Sequence, residues 1–157
     1  MRVVDVMRRS VAVIKPQAQL LEAVQLLLET GQRALPVVDE EGLPVGIISE
    51  GDFLHRTELG TAAPRGNWFE DLLGFEEDTP ARRRFSALTV GAVMSRDLIC
   101  VGEEASFDEV IAEMDMRQIA QVLVVCGSIL VGLIGRPELL DAVNLAMSRA
   151  QEPEPLN

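Results

Sequence analysis

Residues 45–52 read Val-Gly-Ile-Ile-Ser-Glu-Gly-Asp, and residues 131–138 read Val-Gly-Leu-Ile-Gly-Arg-Pro-Glu. Each stretch begins as a short β-branched run and ends in residues that favour a helix start, so each predicts a strand that leads directly into a helix. The likeness of two stretches 86 positions apart indicates an internal repeat. Two copies of one unit predict a pseudo-twofold arrangement around a central cleft.

The repeat extends towards the N-terminal side of both stretches. Val6-Met7 returns as Val93-Met94, and Val37-Val38 returns as Val124-Val125, in both cases 87 positions later. Each copy of about 55 residues is close to the lower limit for a chain that buries a core by itself. We therefore expect the two copies to pack on each other through their sheets.

Both copies predict the same order of elements: strand, helix, hairpin, helix. The first copy predicts a strand over Val11–Ile14 and then a helix that ends in a cap at Gly31. The apolar face of this helix is formed by Leu20, Ala23, Val24, Leu27 and Leu28. A hairpin over residues 34–48 follows, and a second helix starts at 49–52. In the second copy, Ser106 and Glu109 have the spacing of a capping box. A hairpin over 122–134 and a last helix from Arg136 to about Met147 follow.

The predicted organisation is a first copy at residues 1–56, a linker at 57–88, a second copy at 89–147 and a flexible acidic tail at 148–157. The linker is longer than most connections in compact domains. It contains an apolar patch that either covers exposed core or docks a partner; its residues are Trp68, Phe69, Leu72 and Leu73.

Composition excludes several classes of protein. The 157 residues are 48% apolar with a net charge of −11, which argues against disorder and against direct binding of nucleic acid. The longest apolar stretch, 122–135, is shorter than the roughly 20 residues of a membrane span. The N-terminus lacks signal-peptide features, so a cytoplasmic protein without a membrane segment is expected. Cys100 and Cys126 lie in apolar runs and are expected to be buried, reduced thiols, and no spacing predicts a metal site.

The duplicated motifs resemble paired cystathionine-beta-synthase (CBS) domains, the Bateman module, as a stand-alone bacterial-type protein. The motifs are the two Val-Met openings, Leu35–Asp39 and Gly46–Asp52, and the resemblance covers residues 3–56 and 89–143. It implies an α/β (α+β) fold of two strand-helix-strand-strand-helix motifs packed through their sheets. It also implies clefts for AMP, ADP, ATP or S-adenosylmethionine, and assembly as a homodimer.

The resemblance also implies site residues in the first copy. In the family motif G-h-h-[ST]-x-x-[DN] the hydroxyl contacts phosphate and the acidic residue contacts ribose, which points to Ser49 and Asp52. The adenine slot maps to Ile14, Lys15, Ala34, Leu35 and Pro36. Independently, a strand that ends at a helix start suits a phosphate, and a carboxylate can accept both hydrogen bonds of a cis-diol. The same tetrapeptide is also an acceptable helix cap, and the two roles share one geometry.

The second copy departs from this pattern. Gly-Arg-Pro-Glu replaces Ser-Glu-Gly-Asp, and Gln-Val-Leu replaces Ala-Leu-Pro. The residues of this second cleft are Gln121, Val122, Leu123, Arg136 and Glu138. It is either a site kept only for structure, a site for a weaker or different ligand, or a partner surface. Arg136 either grips a phosphate held by the first copy or is a solvated arginine.

No catalytic motif is present, and one histidine leaves little for acid–base chemistry, so we expect no enzyme. The sequence predicts a regulatory module that binds an adenine nucleotide between the two motifs and signals to a partner that the sequence does not identify. The alternatives are a dimerisation scaffold with degenerate clefts and a sensor of S-adenosylmethionine.

Overall fold

The computed structural model describes residues 1–55 and 80–151. The chain divides into two compact units. The first-repeat unit is Ala12–Leu98, and the second-repeat unit combines Met1–Val11 with Ile99–Asn157. The predicted boundaries follow the repeat, whereas the contacts assign the opening segment of each copy to the unit built around the other copy. The apolar patch at Trp68 and Phe69 lies outside the described residues.

The described part of the first-repeat unit contains a two-stranded antiparallel sheet and four helices. They are α1 (Leu20–Thr30), β1 (Ala34–Val38), β2 (Pro44–Ser49), α2 (Glu50–His55), α3 (Pro80–Ala87) and α4 (Val90–Val93). The predicted helix, hairpin and second helix are confirmed. Helix α3 occupies the end of the segment that was predicted to be a linker.

Helix α1 buries Leu20, Ala23 and Leu27 and ends at Gly31, whose φ of 68° is left-handed. That conformation costs glycine little, which explains the predicted cap. Leu28 was placed on the buried face, and this prediction is wrong because its side chain is 79% exposed. The buried face of α1 is narrower than the row of apolar residues in its sequence, and Leu28 lies beside the buried face on the helix surface.

The predicted strand over Val11–Ile14 is reduced to one parallel bridge between Ile14 and Val37. Ile14 N donates to Pro36 O at 3.1 Å, and Val38 N donates to Ile14 O at 3.0 Å. The ladder cannot continue towards Ala12 because Pro36 has no backbone N–H to donate. The prediction of a full strand is therefore wrong.

In the second-repeat unit the corresponding segment is a true strand. This unit contains a short 3-10 turn (Val3–Asp5), β3 (Cys100–Gly102), α5 (Phe107–Arg117), β4 (Gln121–Cys126), β5 (Ile129–Gly135) and α6 (Arg136–Ala150). Strand β3 pairs in parallel with β4, and β4 pairs antiparallel with β5. The predicted capping box is confirmed, with Glu109 N donating to Ser106 Oγ at 3.2 Å. Helix α6 continues to Ala150, three residues into the predicted tail.

The methionine of each Val-Met opening packs against a glycine of a strand. In the first-repeat unit a Cβ on Gly46 would overlap the side chain of Met94, and in the second-repeat unit a Cβ on Gly132 would overlap Met7. Both methionines are buried, and backbone hydrogen bonds near 2.9 Å, such as Ile47 N to Ser95 O, join each opening to the glycine's strand. A glycine at this strand position thus allows close approach of a second chain segment.

Two further expectations are resolved. Cys100 and Cys126 are free thiols, but both are exposed, so the prediction of burial is wrong. Cys100 lies on the edge strand β3, and Cys126 lies at the end of β4, where an apolar sequence does not ensure burial. Within residues 1–55 and 80–151, no helix combines the length and apolar character needed to cross a membrane.

Candidate functional site

Strand pairing places most of the predicted first-copy residues on one small sheet. Ala34 lies opposite Ser49 at the start of β1 and the end of β2, and Pro36 lies opposite Ile47 two positions along. Ile14 is bonded to Pro36 and Val38 on the other side of β1. The Ala34–Ser49 pair lies at one end of this small sheet, whereas Ile14 lies level with Val37, three residues further along β1.

Ser49 and Asp52 form the polar part of this group. Ser49 N donates to Asp52 Oδ2 at 2.8 Å, and the Ser49 hydroxyl lies 3.4 Å from the same oxygen. Both residues are half-buried. Asp52 therefore caps the chain where the strand becomes helix α2, as the sequence allowed. A carboxylate has about four acceptor sites, so the cap is compatible with further hydrogen bonds from a ligand.

The apolar residues of the predicted adenine slot are buried. Ala34 and Leu35 have no exposed surface, Ile14 is 4% exposed, and Pro36 is also buried. Ile14 and Leu35 belong to the hydrophobic core of the first-repeat unit together with Leu20 of α1. They pack inside the unit, whereas Lys15, Ser49 and Asp52 keep accessible surface.

Lys15 is held in place by the hairpin turn. Its Nζ donates to the carbonyl oxygen of Asp39 at 2.7 Å. Lys15 and Ile14 also line a surface depression of about 280 Å³, whose other residues are Val13, Gln17, Ala18 and Glu22. The volume is near the lower end for small-molecule pockets. Of the predicted residues, this depression includes Ile14 and Lys15, and it does not include Ser49 or Asp52.

Gln32 positions this region and was missed in the sequence. It is 4% exposed. Its Oε1 accepts from Ala12 N at 2.7 Å, and its Nε2 donates to Ala12 O at 3.2 Å and to Ala34 O at 3.1 Å. The side chain thus supplies the donor that Pro36 lacks and ties the segment before Ile14 to β1. The signal available in the sequence was a proline inside a predicted strand, because a proline leaves a carbonyl group of an adjacent strand without a backbone donor.

The second copy keeps the cap and changes the residues around it. Gly135 N donates to Glu138 Oε2 at 2.9 Å, which matches the bond that Asp52 makes. Val122 and Leu123 are buried, Gln121 and Glu138 are half-buried, and Arg136 is exposed. Gln121 lies opposite Gly135, as Ala34 lies opposite Ser49. The matched positions therefore present an amide and a glycine in place of a methyl group and a hydroxyl.

The described residues do not suggest a metal centre. No group of three or more His, Cys, Asp or Glu side chains able to hold a metal ion occurs in the described ranges.

A family model described as the CBS domain matches residues 3–58 and 90–145, which together make up more than half of the chain. One curated relative, an uncharacterized protein of Methanocaldococcus jannaschii, is 42% identical over 53 residues. That match covers 34% of this chain and 32% of the relative, so it spans about a third of the relative's length.

Solved structures share the fold over nearly the whole chain. The crystal structure of AcuB from Vibrio cholerae has a TM-score of 0.75 at 22% identity and covers 98% of both chains. The CBS domain pair of protein MJ0100, in complex with 5-methylthioadenosine and S-adenosyl-L-methionine, has a TM-score of 0.69 at 22% identity over 93% of this chain and 98% of its own. CBSX2 in complex with AMP has a TM-score of 0.69 at 21% identity over 92% and 97%. These likenesses show the fold.

Proposed function

The chain belongs to the CBS domain family, and we propose that it is a non-catalytic regulatory module of the cytoplasm whose first copy binds an adenine nucleotide and signals its presence to a partner protein. The observation that carries the proposal is the pairing of Ala34 with Ser49 at the end of the β1–β2 sheet where Asp52 caps the start of α2, with Pro36 two residues along the same strand. Two structures of the same fold were solved with adenosine-containing ligands, AMP in one and S-adenosyl-L-methionine in the other.

The site chemistry suits such a ligand. The buried side chains of Ile14 and Pro36 provide an apolar surface for a flat base. The hydroxyl of Ser49 is a neutral donor for a phosphate oxygen, and the carboxylate of Asp52 is an acceptor for ribose hydroxyls. Lys15 lies beside Ile14 and donates to Asp39 O of the hairpin turn, so it adds one positive charge at that side of the sheet in an otherwise acidic chain. AMP, ADP and ATP are the proposed ligands, and S-adenosylmethionine is the alternative that keeps the adenosine and replaces the phosphates.

Thermal unfolding of the intact protein with each of the four ligands tests this assignment. A ligand present at about 100 times its Kd should stabilise the native state by about 2.7 kcal/mol. Asp52→Asn keeps an acceptor for Ser49 N but removes the carboxylate, and we expect it to abolish most of the shift. Glu138→Gln is the matched control, because it alters the equivalent cap in the second copy, and it should leave the shift unchanged.

Two results would contradict the proposal. One is the absence of a shift with all four ligands, and the other is an equal loss of the shift in Asp52→Asn and Glu138→Gln. The second result would assign the effect to helix capping in general instead of to a site in the first copy.

A scaffold that works through self-association is the second candidate. It is favoured by an apolar stripe on α6, where Leu140, Val143 and Met147 are 71%, 58% and 59% exposed. Large exposed apolar patches often mark protein contacts. The scaffold predicts a stable assembly whose unfolding does not respond to any of the four ligands, so the same titration separates the two candidates.

A further inference from the structure

The first and second copies differ in the cross-strand pair at the strand end that leads into the capped helix, which in the first copy includes the proposed ligand-contacting hydroxyl. In the first copy, Ala34 on β1 pairs with Ser49 on β2. In the second copy, Gln121 on β4 pairs with Gly135 on β5. Both members of the pair have changed, the small residue to a large amide and the hydroxyl residue to glycine. Directly opposite residues of antiparallel strands are in contact, so two such changes are physically linked.

The link is steric. A Cβ built on Gly135 would lie 2.7 Å from Gln121 Oε1, 3.0 Å from its Nε2 and 3.1 Å from its Cδ. Non-bonded carbon atoms pack at about 3.5–4.0 Å. The amide of Gln121 therefore occupies the space next to position 135, and a serine there would require this flexible side-chain end to move.

The backbone gives no other reason for a glycine at this position. Gly135 has φ −130° and ψ −166°, which is extended backbone that any residue adopts. Its N–H donates to Glu138 as the N–H of Ser49 donates to Asp52. The strand end and the cap are thus preserved, and the side chain of Gln121 accounts for the glycine.

We propose that Gln121 is a built-in plug of the second copy: its amide lies where the ligand-contacting hydroxyl lies in the first copy, and the pair Gln121/Gly135 decides that this copy does not take the nucleotide. The inference rests on the proposed nucleotide site of the first copy. It adds a specificity-determining residue that acts by occupying space. Because the surrounding backbone is preserved, exchanging the pair should open the second copy.

The steric part is tested without ligand by a double-mutant cycle in thermal unfolding. We expect Gly135→Ser to lower Tm by a small amount, because the end of the Gln121 side chain can move aside, and Gln121→Ala/Gly135→Ser to recover most of that loss. The matched pair in the first copy, Ala34→Gln and Ser49→Gly, should show the same coupling, with Ala34→Gln damaging alone and tolerated together with Ser49→Gly. Additive effects at 121 and 135 would overturn the proposal.

The functional part is tested by native mass spectrometry of the intact protein with AMP and with ATP. We expect one nucleotide on the wild type and two on Gln121→Ala/Gly135→Ser/Glu138→Asp, which carries the first copy's residues at the three positions. When Asp52→Asn is added, we expect no nucleotide on the protein that is otherwise wild type and one nucleotide on the triple variant.

The outcomes separate this inference from the proposed function. Two nucleotides on the wild type, or one nucleotide on the folded triple variant, would overturn the plug and leave the first site in place. No nucleotide on the wild type but one on the triple variant would overturn the assignment to the first copy and support the plug. No nucleotide on either protein would overturn both.

Discussion

The ends of β2 and β5 share one feature and differ in another, and the two features lie three residues apart. Gly46 and Gly132 are each in close contact with a methionine from the opening of the other copy. Three residues later, Ser49 and Gly135 differ, and so do their cross-strand partners Ala34 and Gln121. The glycine–methionine contact is shared, which marks it as part of the scaffold. The pair at the strand end has changed while the fold has not, which is expected of residues that face a ligand.

The copies also attach their first strand in different ways. In the second-repeat unit, Leu123 N donates to Ile99 O at 2.9 Å and extends the ladder beside β3. The matched residue in the first-repeat unit is Pro36, which cannot donate, and Gln32 Nε2 bonds to Ala12 O in its place. A side chain thus replaces one rung of a backbone ladder. The cost is a shorter strand, and the result is a fixed segment beside the proposed adenine slot.

The largest predicted effect breaks the shared feature. Gly46→Val and Gly132→Val each force a branched side chain into a buried methionine, and the backbone oxygens of Ser95 and Arg8 lie close behind, at 3.1 Å and 3.2 Å from the added Cβ. Overpacking of a core costs about 1–3 kcal/mol, so we expect each variant to lose about 3 kcal/mol in the free energy of unfolding. Urea unfolding of the two variants and the wild type measures this loss.

The matching methionines provide the control. Met94→Ala should recover part of the loss in Gly46→Val, and Met7→Ala should do so in Gly132→Val, whereas the exchanged combinations should give no recovery. A loss confined to one of the two glycines would show that the copies do not share this contact in solution.

A smaller effect is expected from the segment around Ala12, which the two copies attach to the sheet in different ways. Gln32→Ala removes three hydrogen bonds and leaves both backbone groups of Ala12 without their partner. An unsatisfied buried polar group costs about 1–3 kcal/mol, and we expect about 2 kcal/mol here. Pro36→Leu, which gives the first copy the residue of the second, restores the missing N–H. It should therefore recover about 1 kcal/mol in the Gln32→Ala background.

The same measurement on Pro36→Leu alone sharpens the comparison. With Gln32 present, Ala12 O already has a donor, so Pro36→Leu should add little stability by itself. If Pro36→Leu raised the free energy of unfolding equally with and without Gln32, the glutamine side chain would not be replacing the missing backbone hydrogen bond.

Periodicity and turn chemistry predicted most of the fold because they act locally. The left-handed Gly31 and the Ser106–Glu109 box are recognisable within five residues of sequence, and the structure contains both. The strand at Val11–Ile14 failed because its formation depends on a donor that Pro36, more than twenty positions away, does not have. Leu28 failed for a related reason, since the pattern gives the apolar side of a helix but not the width of the surface that covers it.

The predicted site shows the same division. The repeat allowed Ser49 and Asp52 to be compared with Gly135 and Glu138 position by position, so the asymmetry was evident in the sequence. The polar change at Gln121 is also visible in the sequence, but its contact with Gly135 depends on strand register, which pairs residues fourteen positions apart. Gln32 was missed because a single glutamine after a helix cap carries no pattern of its own.

The smallest predicted effect concerns the two hairpin turns. In the first copy the carboxylate of Asp39 organises the turn, accepting from Glu41 N at 2.9 Å and Leu43 N at 3.0 Å. The matched residue is Cys126, whose turn is one residue shorter. A hydrogen bond to Glu103, followed by the negative charge of that carboxylate, raises the pKa of the Cys126 thiol.

Glu103→Gln should therefore bring the pKa of Cys126 back towards its ordinary value. Cys100 should not respond, because its pKa is raised by the partial shielding of its exposed thiol from water and not by Glu103. The pH dependence of alkylation by iodoacetamide, followed by mass spectrometry at each cysteine, measures both shifts in one sample. Because the folded state favours the neutral thiol, any stability from the contact is present below the ordinary pKa and is lost as the pH rises through the raised one. An unchanged pKa of Cys126 in Glu103→Gln would mean that Glu103 does not control this thiol.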